Sequence, residues 1–147
     1  MNTQPVVTER MFDASALIVW RALTDKNEMK KWYFDLPDFK PEVGFKFEFF
    51  GGADSLVQYL HLCEITQVVP EKLLTYSWRY DGYAGNSFVT FELFERENKT
   101  LLRLTHKGIE TFPAENPDFA KENFMDGWNH IIHTSLKTFL EPSQKLV

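Results

Sequence analysis

Two hydrophobic periods divide the chain. Between residues 43 and 106 apolar side chains recur at alternate positions, as in Phe45, Phe47 and Phe49, which predicts strands with one buried and one solvated face. Between residues 118 and 141 the apolar spacing is three and four, which predicts one long amphipathic helix. At 1.5 Å per residue this helix would be about 36 Å long, close to the width of a six-stranded sheet. The pattern therefore predicts a sheet wrapped around a helix.

Shorter elements precede and separate these regions. The pattern predicts a first strand over residues 6–12 and then two short helices, the first with Asp13 as its N-cap and the second over residues 27–33 with a cap at Thr24-Asp25. Further strands are predicted at residues 43–49, 57–65, 73–80, 88–95 and 101–106. Sequential strands joined by short turns favour an antiparallel meander.

The start of the long helix has its own local signal. Asn116 is a capping residue, Pro117 suits the first helical position, and the carboxylate of Asp118 interacts favourably with the helix dipole. These three residues predict a helix that begins at Asp118 and continues without interruption to about Glu141.

Length and composition complete the expected architecture. A chain of 147 residues is of the usual size for one hydrophobic core, so one domain over residues 1–147 is expected. Its class is α+β, a helix-grip fold: a six-stranded curved antiparallel sheet around a long C-terminal helix, with two short helices after strand 1. The 14 Phe, 5 Tyr and 4 Trp are many large rings to pack densely around one helix, which suggests a cavity.

Charge and targeting signals narrow the class of protein. The net charge is −5 and no long block of Lys or Arg is present, so nucleic acid is not an expected partner. The first ten residues lack the apolar core of a signal peptide, and no apolar run has the length of a membrane span. Cytoplasmic residence without membrane insertion is therefore expected. The single cysteine, Cys63, agrees with a reducing compartment.

The order of elements resembles the helix-grip architecture of the START-like (SRPBCC) superfamily. Residues 12–15, 19–25 and Trp32, then residues 102–108 on the last strand and Gly127-Trp128 on the long helix, are similar to motifs of the activator of heat-shock protein 90 ATPase homologue family. The resemblance implies a hydrophobic cavity between sheet and helix. It does not imply one chemistry, because the superfamily includes lipid carriers, hormone receptors, cyclases and co-chaperone domains.

Sequence patterns for catalysis or metal binding are weak. His130 and His133 lie three residues apart on the predicted helix without the H-E-x-x-H pattern of zinc sites, so partly exposed histidines are expected there and no metal site. Cys63 lies within a predicted strand, and we interpret it as a small core residue. A catalytic Cys–His pair with His61 would lack a third group to orient the histidine. No nucleotide-binding or serine-nucleophile motif is present. No cofactor and no catalytic residue is assigned.

The residues expected to bind a ligand are those that strand parity and helical period place inside the fold. They are Phe47, Phe49, Tyr59, His61, Tyr76, Trp78, Phe91, His106, Phe124 and Trp128. Among them His61, Tyr76 and His106 are the candidate polar anchors in an otherwise apolar site. The alternative for each histidine is a core residue that hydrogen-bonds to neighbouring protein groups.

Three functional hypotheses follow. The first is a non-enzymatic module that binds a small hydrophobic or amphipathic ligand between sheet and helix. The second is a co-chaperone-like protein-interaction module with a chaperone or another protein as its partner. The third is an enzyme of cyclase or hydrolase type that uses the same cavity for acid–base catalysis. The sequence does not indicate the oligomeric state.

Overall fold

A computed structural model describes residues 4–54 and 57–141 and contains a six-stranded antiparallel sheet. The strands are β1 (Val6–Phe12), β2 (Lys46–Asp54), β3 (Val57–Val69), β4 (Leu73–Tyr80), β5 (Ser87–Arg96) and β6 (Lys99–Lys107). Their order across the sheet is β1-β6-β5-β4-β3-β2, so five strands form a meander and β1 pairs with the last of them. The C-terminal helix packs against this sheet, and the predicted α+β helix-grip architecture is confirmed.

Two short helices follow β1, as predicted. They are α1 (Ala16–Thr24) and α2 (Lys26–Trp32). The N-cap of α2 is Asp25, whose carboxylate accepts a hydrogen bond of 2.8 Å from the backbone N–H of Asn27. The predicted cap of α1 was wrong. Ser15, not Asp13, is the N-cap, and its hydroxyl oxygen accepts from the backbone N–H of Ile18 at 3.3 Å.

Replacing Ser15 with alanine is therefore expected to lower the free energy of unfolding by about 1 kcal/mol, the usual cost of losing an N-cap side chain. Urea unfolding monitored by circular dichroism measures this change. Asp13→Ala is the matched control and is expected to have an effect below about 0.5 kcal/mol, as is normal for an exposed substitution. Equal destabilisation by the two variants would contradict the assignment of the cap.

The C-terminal helix is not the continuous α-helix that was predicted from Asp118. Residues Pro117–Phe119 form a separate 3₁₀ turn, and the helix consists of α3 (Lys121–His130), a π-helical segment (Ile131–Leu136) and α4 (Lys137–Leu140). The side chain of Asn116 does cap as predicted, accepting from the N–H of Asp118 at 2.9 Å. It caps the 3₁₀ turn, because Ala120 adopts an extended conformation with ψ 145° and separates the turn from α3.

The π-helical segment follows from the spacing of the buried residues. Phe124, Trp128, Ile132 and Leu136 are buried at every fourth position. In an α-helix of 3.6 residues per turn, each four-residue step turns the side chain by about 40°, so three steps would carry it about 120° away from the core. The wider turn of a π-helix reduces this drift. Leu136 consequently remains on the buried face with Phe124.

The sheet places its alternate residues on the concave face under this helix. His61 and Cys63 on β3 and Leu104 and His106 on β6 are buried, as strand parity predicted.

Within the described ranges, no helix combines the length and the apolar character needed to cross a membrane.

Candidate functional site

A cleft of about 730 Å³ lies between the concave face of the sheet and the C-terminal helix. Its sheet side is formed by residues of β2, β3 and β4, namely Gly51, Gln58, Tyr59, His61, Trp78 and Tyr80. Its helix side is formed by Asp118, Phe119, Asn123, Phe124, Asp126, Gly127, Trp128, His130 and Ile131. Phe34, which follows α2, completes the wall. Most of the accessible wall is therefore aromatic or aliphatic, with a few polar groups.

Five of the ten predicted ligand-binding residues line this cleft. They are Tyr59, His61, Trp78, Phe124 and Trp128. The other five, Phe47, Phe49, Tyr76, Phe91 and His106, are buried in the core but are not among the lining residues. The alternation of side chains along a strand identifies which residues lie on the concave face of the sheet. It does not identify which part of that face the helix covers. The helix contacts β1, so the space remains on the side of β2, β3 and β4.

His61 is the polar side chain at the floor of the cleft. Its Nδ1 lies 2.9 Å from the carbonyl oxygen of Tyr59, which only accepts, so Nδ1 carries the proton of the neutral ring. The ring stacks on Phe49 with centroids 4.5 Å apart and meets Trp78 edge-on at 4.9 Å. Burial among these rings lowers the pKa of His61 to about 4. The residue is therefore neutral at physiological pH, and its Nε2 is a hydrogen-bond acceptor.

His106 is fully buried behind the cleft, and both its ring nitrogens have protein partners. The indole Nε1–H of Trp128 donates to Nδ1 at 2.9 Å, so the ring proton is on Nε2, which lies 2.8 Å from the hydroxyl oxygen of Ser87. The Ser87 hydroxyl in turn donates to the carbonyl oxygen of Trp78 at 2.7 Å. Burial lowers the pKa of His106 to about 3. This arrangement corresponds to the alternative of a core histidine bonded to protein groups.

Tyr76, the third predicted anchor, also lies away from the cleft. Its hydroxyl is 2.6 Å from the hydroxyl of Tyr33, and desolvation raises the pKa of both phenols.

Burial likewise raises the pKa of the Cys63 thiol, which is consistent with a core residue. In the part of the chain that the structure describes, no three His, Cys, Asp or Glu side chains are grouped as metal ligands.

The 3₁₀ turn Pro117–Phe119 contributes Asp118 and Phe119 to the wall of the cleft, a role that the sequence pattern did not predict. The Phe119 ring stacks on Tyr80 with centroids 4.7 Å apart and packs against Tyr59 at 5.1 Å. The Tyr59 hydroxyl donates a 2.5 Å hydrogen bond to Asp118 Oδ2, which ties the turn to β3. The side chains of Asp118 and Phe119 are thereby held at the cleft wall.

Gly127 provides the open space on the helix side. A Cβ atom built on this residue would meet no heavy atom within 4 Å, and Gly127 lines the cleft. A glycine within a helix costs about 1 kcal/mol relative to alanine, so its presence there is a signal of a packing or functional requirement. That signal was available in the sequence.

The two histidines of the C-terminal helix have different surroundings. His130 is exposed and lines the cleft, whereas His133 is half-buried against β1. His133 Nε2 lies 3.0 Å from Thr8 Oγ1, and Nδ1 lies 3.4 Å from Arg10 Nη1. Because the Thr8 hydroxyl donates to Asn129 Oδ1 at 2.7 Å, Nε2 of His133 is the donor to Thr8. His133 thus helps to hold the helix against the edge of the sheet.

A curved antiparallel sheet, a C-terminal helix against its concave face and a cleft between them define a START-like helix-grip protein. The family described as Activator of Hsp90 ATPase homolog 1-like protein matches residues 13–141, and the chain belongs to this family. The resemblance inferred from the sequence is confirmed. Membership indicates a module of ligand-binding or co-chaperone type.

Solved structures share this fold over nearly the whole chain. Protein MLL2253 from Mesorhizobium loti is 28% identical, with a TM-score of 0.74 over 95% of this chain and 98% of its own. Protein CV1439 from Chromobacterium violaceum has 21% identity and a TM-score of 0.77 over the same shares. The Aha1 dimer from Colwellia psychrerythraea has 24% identity and a TM-score of 0.69, over 93% of this chain and 96% of its own. None of the curated proteins matches the chain.

Proposed function

We propose that this protein is a non-enzymatic binding module that holds a small apolar or amphipathic molecule in the cleft between sheet and helix. The observation that carries the proposal is an aromatic-walled space of about 730 Å³ with a glycine at its helix wall. Ligand sites in proteins are commonly 300–1,000 Å³ in volume, with mostly apolar walls and a small number of placed polar groups. The cleft has the size and the composition of such a site.

His61 supplies one of these polar groups. With its proton fixed on Nδ1, the neutral ring offers Nε2 as an acceptor for a hydroxyl or N–H of the ligand. The same environment makes it a weak base at neutral pH, because its pKa is about 4. A general base is most effective when its pKa is near the working pH. The chemistry of His61 therefore favours binding over acid–base catalysis.

A second candidate function, protein interaction, is favoured by an apolar row on the convex face of the sheet. Met11 on β1 and Phe94 on β5 both pair with Leu101 on β6, and Met11 and Phe94 are 49% and 44% exposed. Among the related folds, the protein from Colwellia psychrerythraea is described as a dimer. This row faces away from the cleft, so substitutions in the cleft leave it unchanged.

Replacing Gly127 with phenylalanine tests the proposed function. We expect the ring to occupy the open space of the cleft and to weaken binding of a neutral fluorescent probe, N-phenyl-1-naphthylamine, by about tenfold or more, equivalent to about 1.4 kcal/mol. Titration followed by probe fluorescence measures the dissociation constant.

Gly127→Ala is the matched control for this experiment. Its single methyl group leaves most of the cleft open, so the probe affinity should change by less than about twofold, and the helix should gain about 1 kcal/mol of stability. A wild-type protein that does not bind the probe, or a folded Gly127→Phe variant that binds it as tightly as the wild type, would contradict the proposal.

A further inference from the structure

We propose that the cleft selects a ligand with an apolar ring body and a protonated amino group, and that it rejects ligands carrying a carboxylate. This inference rests on the proposed function and specifies the chemical class of the ligand. The charged side chains that line the cleft are the carboxylates of Asp118 and Asp126, and the lining residues that the structure describes include no Lys or Arg.

The two carboxylates lie on the helix side of the cleft. Asp118 is half-buried and is fixed by the hydrogen bond from the Tyr59 hydroxyl. Asp126 is exposed and lies directly before Gly127, where the cleft is open. A ligand whose ring lies among the aromatic walls would therefore place its polar end close to negative charge.

The sheet side of the cleft also contains groups that attract a cation. His61 is neutral and presents an unprotonated Nε2, and the faces of aromatic rings such as Trp128 and Tyr80 attract cations. The side-chain N–H of Asn123 already donates to the carbonyl oxygen of Pro117 at 2.8 Å. An ammonium group would find several acceptors in this cleft. Among the described residues that line the cleft, a ligand carboxylate would find like charges and no Lys or Arg partner, which is a costly arrangement.

Three probes that share a naphthalene body separate charge preference from apolar binding. They are 1-naphthylmethylamine, 1-naphthalenemethanol and 1-naphthoic acid, titrated calorimetrically into the full chain at about 50 mM salt to limit screening. All three titrations are run at pH 8. We expect the amine to bind about threefold or more tighter than the alcohol, and the acid to bind about tenfold weaker than the alcohol.

Asp126→Asn locates the origin of this preference. The variant is expected to reduce the affinity for the amine by about threefold and to leave the affinity for the alcohol unchanged, since only the ionic attraction is removed. Glu92→Gln removes the same charge from β5, outside the residues that line the cleft, and should not alter the ratio of the amine and alcohol affinities.

The outcomes distinguish this inference from the proposed function. If the alcohol does not bind, the proposed function fails and the inference fails with it. If the alcohol binds but the acid binds as tightly as the amine, or more tightly, the charge selection is overturned and the binding module stands. An amine preference that survives in both Asp126→Asn and Asp118→Asn would also overturn the inference.

Discussion

Lowering the pH from 7 to 5 is expected to reduce the free energy of unfolding by about 4 kcal/mol, with about 2 kcal/mol from each of His61 and His106. Burial lowers their pKa values in the folded protein from 6.5 to about 4 and about 3. Below pH 6.5 the unfolded chain binds protons that the folded protein does not bind. The stabilisation is therefore complete above that pH and is lost as the pH falls towards the folded values.

Urea unfolding at pH 7, 6 and 5 measures this loss. Ordinary Asp and Glu side chains titrate near pH 4, so most carboxylates remain ionised over this range. His61→Phe provides the control, since the ring it introduces suits the aromatic surroundings and cannot be protonated. Between pH 7 and pH 5, the free energy of unfolding of the His61→Phe variant should fall by about half as much as that of the wild type. A wild-type change below about 1 kcal/mol would show that the two histidines are not buried in the neutral form.

Replacing His106 with leucine is expected to destabilise the protein by about 3 kcal/mol at pH 8. The indole N–H of Trp128 would lose its acceptor in a site where Trp128 is 3% exposed, and Ser87 would lose one of its partners. An unsatisfied buried polar group costs about 1–3 kcal/mol, and the change in shape within the core adds to this cost. Chemical denaturation at constant pH gives the value.

A double-mutant cycle with Trp128→Phe separates the hydrogen bond from the change in packing. If the 2.9 Å bond between Trp128 Nε1 and His106 Nδ1 is made as described, the two substitutions should be non-additive by about 1 kcal/mol or more. Additivity within about 0.3 kcal/mol would mean that the bond does not contribute to stability, whatever the size of the single effects.

The sheet and its inner face were predictable because a period of two is a local property of the chain. β1 and β4 have the predicted bounds, and His61 and His106 lie on the predicted face. The cap of α1 was mispredicted because Asp13 and Ser15 are both good capping residues and lie only two positions apart. Which of them caps depends on the backbone conformation between them, which residue type alone does not determine.

The cleft was harder to predict than the fold, because its boundary depends on where the helix rests on the sheet. Trp128 and Tyr59 were predicted from their periods, but Phe34 lies in a segment without any period and Phe119 lies in a 3₁₀ turn that was predicted as the first turn of the long helix. The roles of His61 and His106 diverge for the same reason. Both are buried and neutral, yet only His61 borders the space that the helix leaves uncovered.

The π-helical segment also bears on which changes in chain length this protein tolerates. Deleting one residue between Trp128 and Leu136 would allow ordinary helical winding and keep Leu136 on the buried face, because seven steps of about 100° end only about 20° short of two full turns. Insertions in the solvent-exposed hairpin at Glu97 and Asn98 would also leave the buried face of the helix unchanged. Within the family, the number of residues from Trp128 to Leu136 should therefore differ by one between members with and without the π-helical segment, with the same face of the helix buried in both.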